Sequence, residues 1–280
     1  MYRINTATQL SDNVFKFEIE APLIARKTEP GQFIVLRVDE QGERIPLTVA
    51  DFDRERGLVT IIFQVAGAST QLLSQKKAGD FIQDFVGPLG RKSEIKPGIG
   101  TVVCIGGGIG TAPVYPIARA MRAAGNKVIS IIGARSRGIL IMEQEMKAVS
   151  DELIVTTDDG SYGMKGFVTT ALSQLVDRGE KPAVVYAIGP VIMMRSVVEL
   201  TRKMGIKTIV SLNPVMVDGT GMCGCCRVTV NNEIKFACVD GPEFDGHLVD
   251  FKNLMSRQGM FREQEQEAKD HVCRIGLGRN

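Results

Sequence analysis

The stretch TVVCIGGGIGTAPVYPIARAMRAAGNKVISIIG, residues 101–133, decides how the chain is read. It runs from an apolar strand through a glycine-rich turn into a helix, and on into a second apolar strand. Strands that are apolar along their whole length and alternate with amphipathic helices belong to a parallel sheet covered on both faces. The alternation continues through ILIMEQEMKAVS, LIVTTDD, TTALSQLVDRG, AVVYAIGP, VIMMRSVVELTRKMG and KTIVSLN. Residues 98–212 are therefore expected to form a nucleotide-binding α/β domain.

Two turns in this domain have the chemistry to hold a ligand. IGGGIGTAP (105–113) joins a strand to a helix. Its glycines let a phosphate approach bare amides at a helix N-terminus, where the dipole favours negative charge. The same glycines also suit a tight turn made for packing alone, and the acidic ribose-binding residue expected about 20 positions on is not evident. AIGPVIMM (187–194) ends another strand, so Gly189 and Pro190 lie where such sheets bind ligands. Its bland reading is a buried turn followed by methionine core filling.

Upstream the pattern differs. VFKFEIEA, GQFIVLRV, LVTIIFQVAG and DFIQDFVGPLG are short apolar runs separated by Pro, Gly and Asp, which predicts an antiparallel barrel or sandwich over residues 1–97. In RIPLT (44–48), Arg44 suits a phosphate, and the strand-borne hydroxyl of Thr48 suits a flavin nitrogen or oxygen. In GAST (67–70), Gly67, Ser69 and Thr70 offer amides and hydroxyls to a pyrophosphate. The plain alternatives are an exposed arginine and an N-capped helix.

Downstream, Cys223, Cys225, Cys226 and Cys238 crowd into sixteen residues, whereas Cys104 lies in a strand and Cys273 in a polar tail. With no secretion signal, such crowding favours metal over disulfides. Laying the plant-type iron–sulfur spacing C-x4-C-x2-C with a distant fourth cysteine over Cys223 and Cys226 puts the first ligand at Asp218 and the last at Cys238. Cys225 competes for the fourth place, Asp218 has a second reading as a turn residue, and four cysteines also suit zinc. The cluster loop is expected within 213–250, with a charged tail over 251–280 available to a partner.

Composition excludes several classes. The net charge is +2, tryptophan is absent and tyrosine occurs four times, so neither a basic patch nor a base-stacking platform for nucleic acid is evident. No apolar run reaches the roughly 18 residues of a membrane span, and MYRINTATQLSDN has no apolar signal core. A soluble, cytoplasmic protein is expected.

Taken in order, PGQF (30–33), RIPLT, GAST, GPLG (87–90), GGGIGTAP, DDGSYGMKG (158–166) and IGPVIMM resemble the landmarks of the ferredoxin–NADP reductase superfamily. The terminal cysteine loop narrows the resemblance to its electron-transfer subunits. These include that of dihydroorotate dehydrogenase and, more closely, the small subunit of NADH-dependent reduced ferredoxin:NADP oxidoreductase, or sulfide dehydrogenase. The latter is known for an aspartate among its cluster ligands, which VDGTGMCGCC matches.

The resemblance implies an FAD with Arg44, Pro46, Leu47 and Thr48 along its isoalloxazine and Gly67, Ser69 and Thr70 at its pyrophosphate. In many relatives the arginine stands three residues before the hydroxyl, a place held here by Ile45. It further implies NAD(H) at Gly108, Gly110, Thr111 and Pro113, with Asp159, Gly189 and Pro190 along the same cleft, and a 2Fe-2S cluster on Asp218, Cys223, Cys226 and Cys238. Hydride would pass between NAD(H) and FAD, and single electrons through the cluster to a larger flavin/iron–sulfur subunit that deals with ferredoxin by electron bifurcation. No side chain is needed as an acid–base catalyst. Arg135 and Arg137 leave NADP(H) open as the nucleotide. Dihydroorotate oxidation is the alternative task, and a zinc-stabilised nucleotide sensor the non-enzymatic one.

Overall fold

The computed structural model describes residues 1–274. The expected tail, 251–280, thus lies partly outside the described residues. The N-terminal strands are β1 (Tyr2–Ser11), β2 (Val14–Glu20), β3 (Phe33–Arg37), β4 (Arg44–Asp53), β5 (Leu58–Gln64), β6 (Phe81–Ile82) and β7 (Asp84–Leu89). Helix α1 (Pro22–Lys27) follows β2, and α2 (Ala68–Ser74) follows β5. The strands pair antiparallel in the order β6-β1-β2-β5-β4-β3-β7. Because Gln83 alone separates β6 from β7, the two ends of that order are nearly one strand, and the sheet closes on itself as a barrel. Its interior is filled by residues such as Phe17, Ile19, Ile34, Leu36, Ile61 and Phe63. Phe17 meets Phe63 edge to face at 5.1 Å.

The second sheet contains β8 (Thr101–Gly107), β9 (Lys127–Ala134), β10 (Glu152–Thr157), β11 (Met164–Lys165), β12 (Pro182–Ile188) and β13 (Thr208–Ser211). These run parallel in the order β11-β10-β9-β8-β12-β13. Strand β8 shows why the quoted stretch is apolar throughout. Val103 and Ile105 enter one core, while Val102 and Cys104 enter another on the opposite face. Helix α3 (Thr111–Ala123) covers the second face, with α4 (Glu143–Ala148) beside it. Helices α5 (Val168–Asp177) and α6 (Val191–Met204) cover the first. On α6, Val191, Met194, Val197, Val198 and Thr201 are buried at helical spacing, and the helix stops at Gly205, whose φ of +66° suits a residue without Cβ.

The C-terminal part comprises the hairpin β14 (Arg227–Val230) and β15 (Glu233–Phe236), then α7 (Ala237–Asp240), β16 (Glu243–Asp245), α8 (Phe251–Gln258) and α9 (Arg262–Arg274). Strand β16 joins the second sheet antiparallel to β13, which ties the small C-terminal part to the nucleotide domain. The charged tail contains two helices, and α9 lies beside α2.

A buried carboxyl ties the three parts together. Glu243, at the start of β16, accepts a hydrogen bond from Ser93 Oγ at 2.6 Å. Gly31 of the barrel approaches so closely that a Cβ there would lie 2.7 Å from Glu243 Oε1. Nearby, Ser93 N donates to Pro30 O at 2.8 Å and Arg91 N to Gly241 O at 2.6 Å. Part of the residue reaches the surface, but burial of the carboxyl pushes its pKa up from 4.5 to about 7, the Ser93 hydrogen bond opposing the shift. The folded chain therefore binds this proton where the unfolded chain has released it. Stability from this group is present below pH 4.5 and is lost as the pH rises toward 7. Glu243→Gln is expected to flatten the fall in Tm across that interval, removing a slope worth at most about 3 kcal/mol, as measured by thermal melts at several pH values.

Candidate functional site

The carboxyl ends of β8, β9, β10 and β12 all open on one edge of the second sheet, because the strands are parallel. The glycine-rich turn there becomes a short 3₁₀ segment, Gly108–Gly110, leading directly into α3. A Cβ on Gly110 would strike the carbonyl of Ile188, and one on Gly107 would strike Met193 Sδ. The loop at 106–110 and the loop at Gly189–Pro190 thus touch through bare backbone. Gly108 is different: its φ is +53° and nothing lies within 4 Å of its Cβ position, so it faces open space. Thr111 is buried and its amide donates to the carbonyls of Gly108 and Ile109, and Pro113 stands in the first turn. No acidic residue occupies the first turn of α3 or α6, and neither helix has a side-chain cap.

Asp159 follows β10 on the same edge. Its Oδ1 accepts from Ser161 N at 2.9 Å, and the Ser161 hydroxyl and amide hold its carboxyl below the usual range. Strand β9 intervenes between β10 and β8, so Asp159 and the glycine loop stand about two strand spacings, ~10 Å, apart across the edge. Arg135 is exposed, and Arg137 lies over the Tyr162 ring at 5.1 Å.

On β4 the strand alternation sorts the flavin-side candidates. Ile45 and Leu47 pack against the barrel core, leaving Arg44, Pro46 and Thr48 on the opposite face. Arg44 thus shares a face with Thr48 because they stand four positions apart on the strand, whereas an arginine at position 45 would point inward. In GAST the plain reading is realised for one residue. Thr70 Oγ1 accepts from Ala66 N at 3.0 Å and Gly67 N at 3.1 Å, capping α2. Ser69 is buried, and Gly67 has open space at its Cβ position.

The cysteine loop wraps through three glycines with positive φ, Gly219, Gly221 and Gly224. Cys226 and Cys238 are buried with their sulfurs 3.2 Å apart. Cys223 is exposed, and its amide donates to Asp218 Oδ2 at 2.8 Å. Asp218 Oδ1 takes the Thr220 amide at 2.9 Å. Those amides, Thr220 first, hold the Asp218 carboxyl below its usual pKa. Asp218 is therefore an organiser of the turn. A carboxylate has about four acceptor positions, so the role does not exhaust it. Burial pushes the Cys238 thiol up to about 12, with Cys226 adding to the shift. Cys225 is hydrogen-bonded to Cys223, which raises the Cys225 thiol. Cys225, the competitor for the fourth place, thus stays beside the loop's other donors.

The donor set fits a binuclear cluster. Among its donors, Cys226 Sγ is 3.2 Å from Cys238 Sγ, and the Asp218 carboxylate takes the Cys223 amide. Thiolates and a carboxylate around glycine turns suit iron that shares bridging sulfides.

The three regions meet on β3 and β4. A Cβ on Gly219 of the cysteine loop would lie 2.8 Å from Leu89 Cδ1 and 3.1 Å from Val35 Cγ2. Val35 pairs with Pro46, and Phe33 with Thr48. Further along β4, Ala50 packs with Ala112 of α3, and Asp51 Oδ1 takes Arg119 Nη2 at 2.7 Å. Phe33, Val35 and Arg119 carry this junction, and of the three only Phe33 lay in a sequence motif, PGQF. Val35 lay in the continuous apolar run GQFIVLRV, and Arg119 on α3 had no signal of its own.

Comparison with known proteins agrees with this architecture. Residues 213–250 match the iron–sulfur cluster binding domain of dihydroorotate dehydrogenase B, and residues 104–199 match an oxidoreductase NAD-binding domain. A dihydroorotate dehydrogenase B (NAD(+)) electron transfer subunit homolog of Thermotoga maritima is 52% identical over 92% of this chain and 90% of its own length. The chain belongs to the dihydroorotate dehydrogenase B electron-transfer-subunit family. The Geobacillus thermodenitrificans electron transfer subunit is 34% identical, over 84% of this chain and 92% of its own. Among solved structures, a chain of NADH-dependent reduced ferredoxin–NADP oxidoreductase, studied for flavin-based electron bifurcation, superposes with a TM-score of 0.92. It is 49% identical and 98% of each chain is covered. Phthalate dioxygenase reductase shares the fold at 18% identity and a TM-score of 0.56, covering 82% of this chain and 85% of its own. The family fold accommodates FAD, NAD(H) and a 2Fe-2S cluster, as the resemblance implied. No described helix is long and apolar enough to cross a membrane.

The contact between the two nucleotide-side loops leads to a test. Gly110→Ala is expected to cost about 1–3 kcal/mol through overpacking against Ile188 and to weaken NADH binding. Gly98→Ala, at a φ of +61° and with nothing within 4 Å of its Cβ position, should lower Tm through backbone strain without changing NADH affinity. Melting curves and NADH titration distinguish the two.

Proposed function

We propose that this chain is the electron-transfer subunit of a cytoplasmic, flavin-based NADH-dependent ferredoxin–NADP oxidoreductase. Its partner in the heterodimer would be a larger flavin/iron–sulfur subunit that deals with ferredoxin. The observation that carries the reading is the position of β4. Pro46 and Thr48 adjoin the residues beneath the cysteine loop, while Ala50 and Asp51 of the same strand adjoin the helix behind the glycine-rich loop. One strand thereby borders both ends of an electron path.

When bound, the nucleotide and flavin exchange a hydride and the cluster carries single electrons; the protein's share is placement and tuning. Gly108, Gly110, Thr111 and Pro113, with Gly189 and Pro190, offer backbone and a helix start to the nucleotide's phosphates. Asp159 borders the far side of that cleft. Gly67 and Ser69 hold the corresponding place for the flavin pyrophosphate, with Thr70 fixing the turn. Thr48 supplies a hydroxyl donor, Pro46 and Leu47 line the strand beside it, and Arg44 brings a cation to the same face. Cys226 and Cys238 form the buried pair of iron ligands, and Cys223 and Asp218 the exposed pair. Phe33, Val35 and Leu89 keep water from the gap between cysteine loop and β4.

The purified chain should hold FAD, iron and acid-labile sulfide, and should reduce artificial dyes with NADH. A colourless protein with zinc and no flavin would overturn the reading. The family's dihydroorotate dehydrogenase members, at 32–34% identity, make dihydroorotate oxidation the second reading. The subunit that co-purifies decides between the two. Asp218→Cys is expected to keep a cluster and shift its potential downward, because thiolate donates more strongly than carboxylate. An EPR-monitored redox titration with an unchanged potential would remove Asp218 from the ligand set.

A further inference from the structure

The matched cluster domain ends at residue 250, and α8 begins at Phe251. Yet the last turn of α8 holds the cysteine loop from outside. Arg257 Nη2 donates to the carbonyl of Cys225 at 3.1 Å. Gln258 Nε2 donates to Asn213 O at 2.8 Å and Asn213 Oδ1 at 3.1 Å. The helix is firmly placed for this. Asp250 caps it by accepting from Asn253 N at 2.9 Å, Asp250 N donates to Thr229 O at 2.9 Å, and Phe251 and Leu254 are buried. Its C-terminal turn therefore clamps the segment at its start and again between Cys223 and Cys226.

A second observation concerns Arg257 itself. Its Nε is buried and has no hydrogen-bond partner among the described residues. Leaving a charged group's donor buried and unpaired is costly, more so than for a neutral group. The side chain borders a cavity of about 170 Å³ together with Cys223, Cys225 and Arg227, and no carboxylate lines that cavity. What Arg257 faces is thus the donor loop, whose thiolates and sulfides would bring negative charge and acceptor sulfurs.

We infer that Arg257 is a positioning residue for the iron–sulfur site: its guanidinium fixes the Cys225 peptide and its charge raises the reduction potential of the cluster. The inference rests on the cluster reading above. Reduction adds an electron to an already anionic site, so a cation held nearby favours the reduced form. Lysine at this position would keep the charge but lose the planar fork that engages a carbonyl while directing Nε inward. Arg227 also borders the cavity but is exposed, and its charge is screened by solvent.

The test uses the full chain carrying its cluster, with Arg257→Gln, Arg257→Lys and Gln258→Ala compared with the parent. Iron and sulfide per chain and the EPR-monitored midpoint potential are measured. Arg257→Gln should shift the potential negative and lose iron faster on dilution, while Arg257→Lys should stay nearer the parent in potential and still lose iron faster. Gln258→Ala should leave the potential unchanged. Parent-like potential and iron retention in both arginine variants would overturn the inference. If Arg257→Gln assembles no cluster, a cluster in Arg257→Lys that keeps near-parent potential but loses iron faster, beside a parent-like Gln258→Ala, sustains it, whereas equal failure to assemble in Gln258→Ala overturns it by making the helix turn responsible. A parent chain without iron would instead defeat the cluster reading, before any variant is compared.

Discussion

The pairing of β3 with β4 is the constraint on which the rest depends. Because side chains alternate along a strand, Ile34 and Leu36 fill the barrel while Phe33 and Val35 face the C-terminal part. Their partners on β4 inherit that choice, so Thr48 and Pro46 stand on the outer face. A slip of one residue would turn Phe33 and Val35 into the barrel and withdraw the surface on which Gly219 rests. Burial on both faces makes such a slip costly, each displaced large side chain being worth about 1.5–3 kcal/mol. The register thus holds barrel, cysteine loop and nucleotide domain in one arrangement.

The glycine-rich loop admits two readings that prove compatible. Gly107 and Gly110 are required because neighbouring backbone and Met193 occupy the space a Cβ would need. Gly108 is required by its positive φ and leaves space open beside it. Packing glycines thus hold the loop against Gly189, while half-buried Gly108 keeps open space beside the backbone. Helix α3 contains Pro116, which forfeits a helical hydrogen bond, yet it continues to Ala123 because Ile117, Ala118 and Met121 are buried behind it. Tertiary burial outweighs the local penalty.

Much of this was legible in the sequence because it rests on periodicity. The apolar strands of 98–212 and the short alternating runs before them specify a parallel sheet and an antiparallel barrel. Motif residues Gly108, Gly189 and Asp159 come to one sheet edge because parallel strands deliver their carboxyl ends together. What was illegible depends on long-range contact. Strand β16 is three residues long and too short to carry a period, yet it extends the nucleotide sheet. Arg257 and Gln258 lie in a polar stretch without a motif, and only the folded chain brings them to Cys225 and Asn213. Thr70 illustrates the converse, since the local capping pattern was visible and the structure uses its hydroxyl that way.

The cysteine loop shows why an aspartate is physically apt at position 218. The loop must turn sharply at Gly219 and Gly221, which leaves the amides of Thr220 and Cys223 pointing inward. A carboxylate can accept both through separate oxygens, each a charge-assisted bond stronger than a neutral one. A thiolate at the same position has one soft sulfur to offer and would leave the turn less well fixed. The exposed half of the site, Asp218 and Cys223, therefore draws its order from hydrogen bonds within the loop. The buried half, Cys226 and Cys238, draws its order from the core that contains Val228, Ala237 and Phe251. The two halves are joined through Gly224 and Cys225, the short segment whose carbonyl Arg257 holds. Order at the exposed pair is consequently transmitted to the buried pair through this short segment, anchored from α8 at the Cys225 carbonyl.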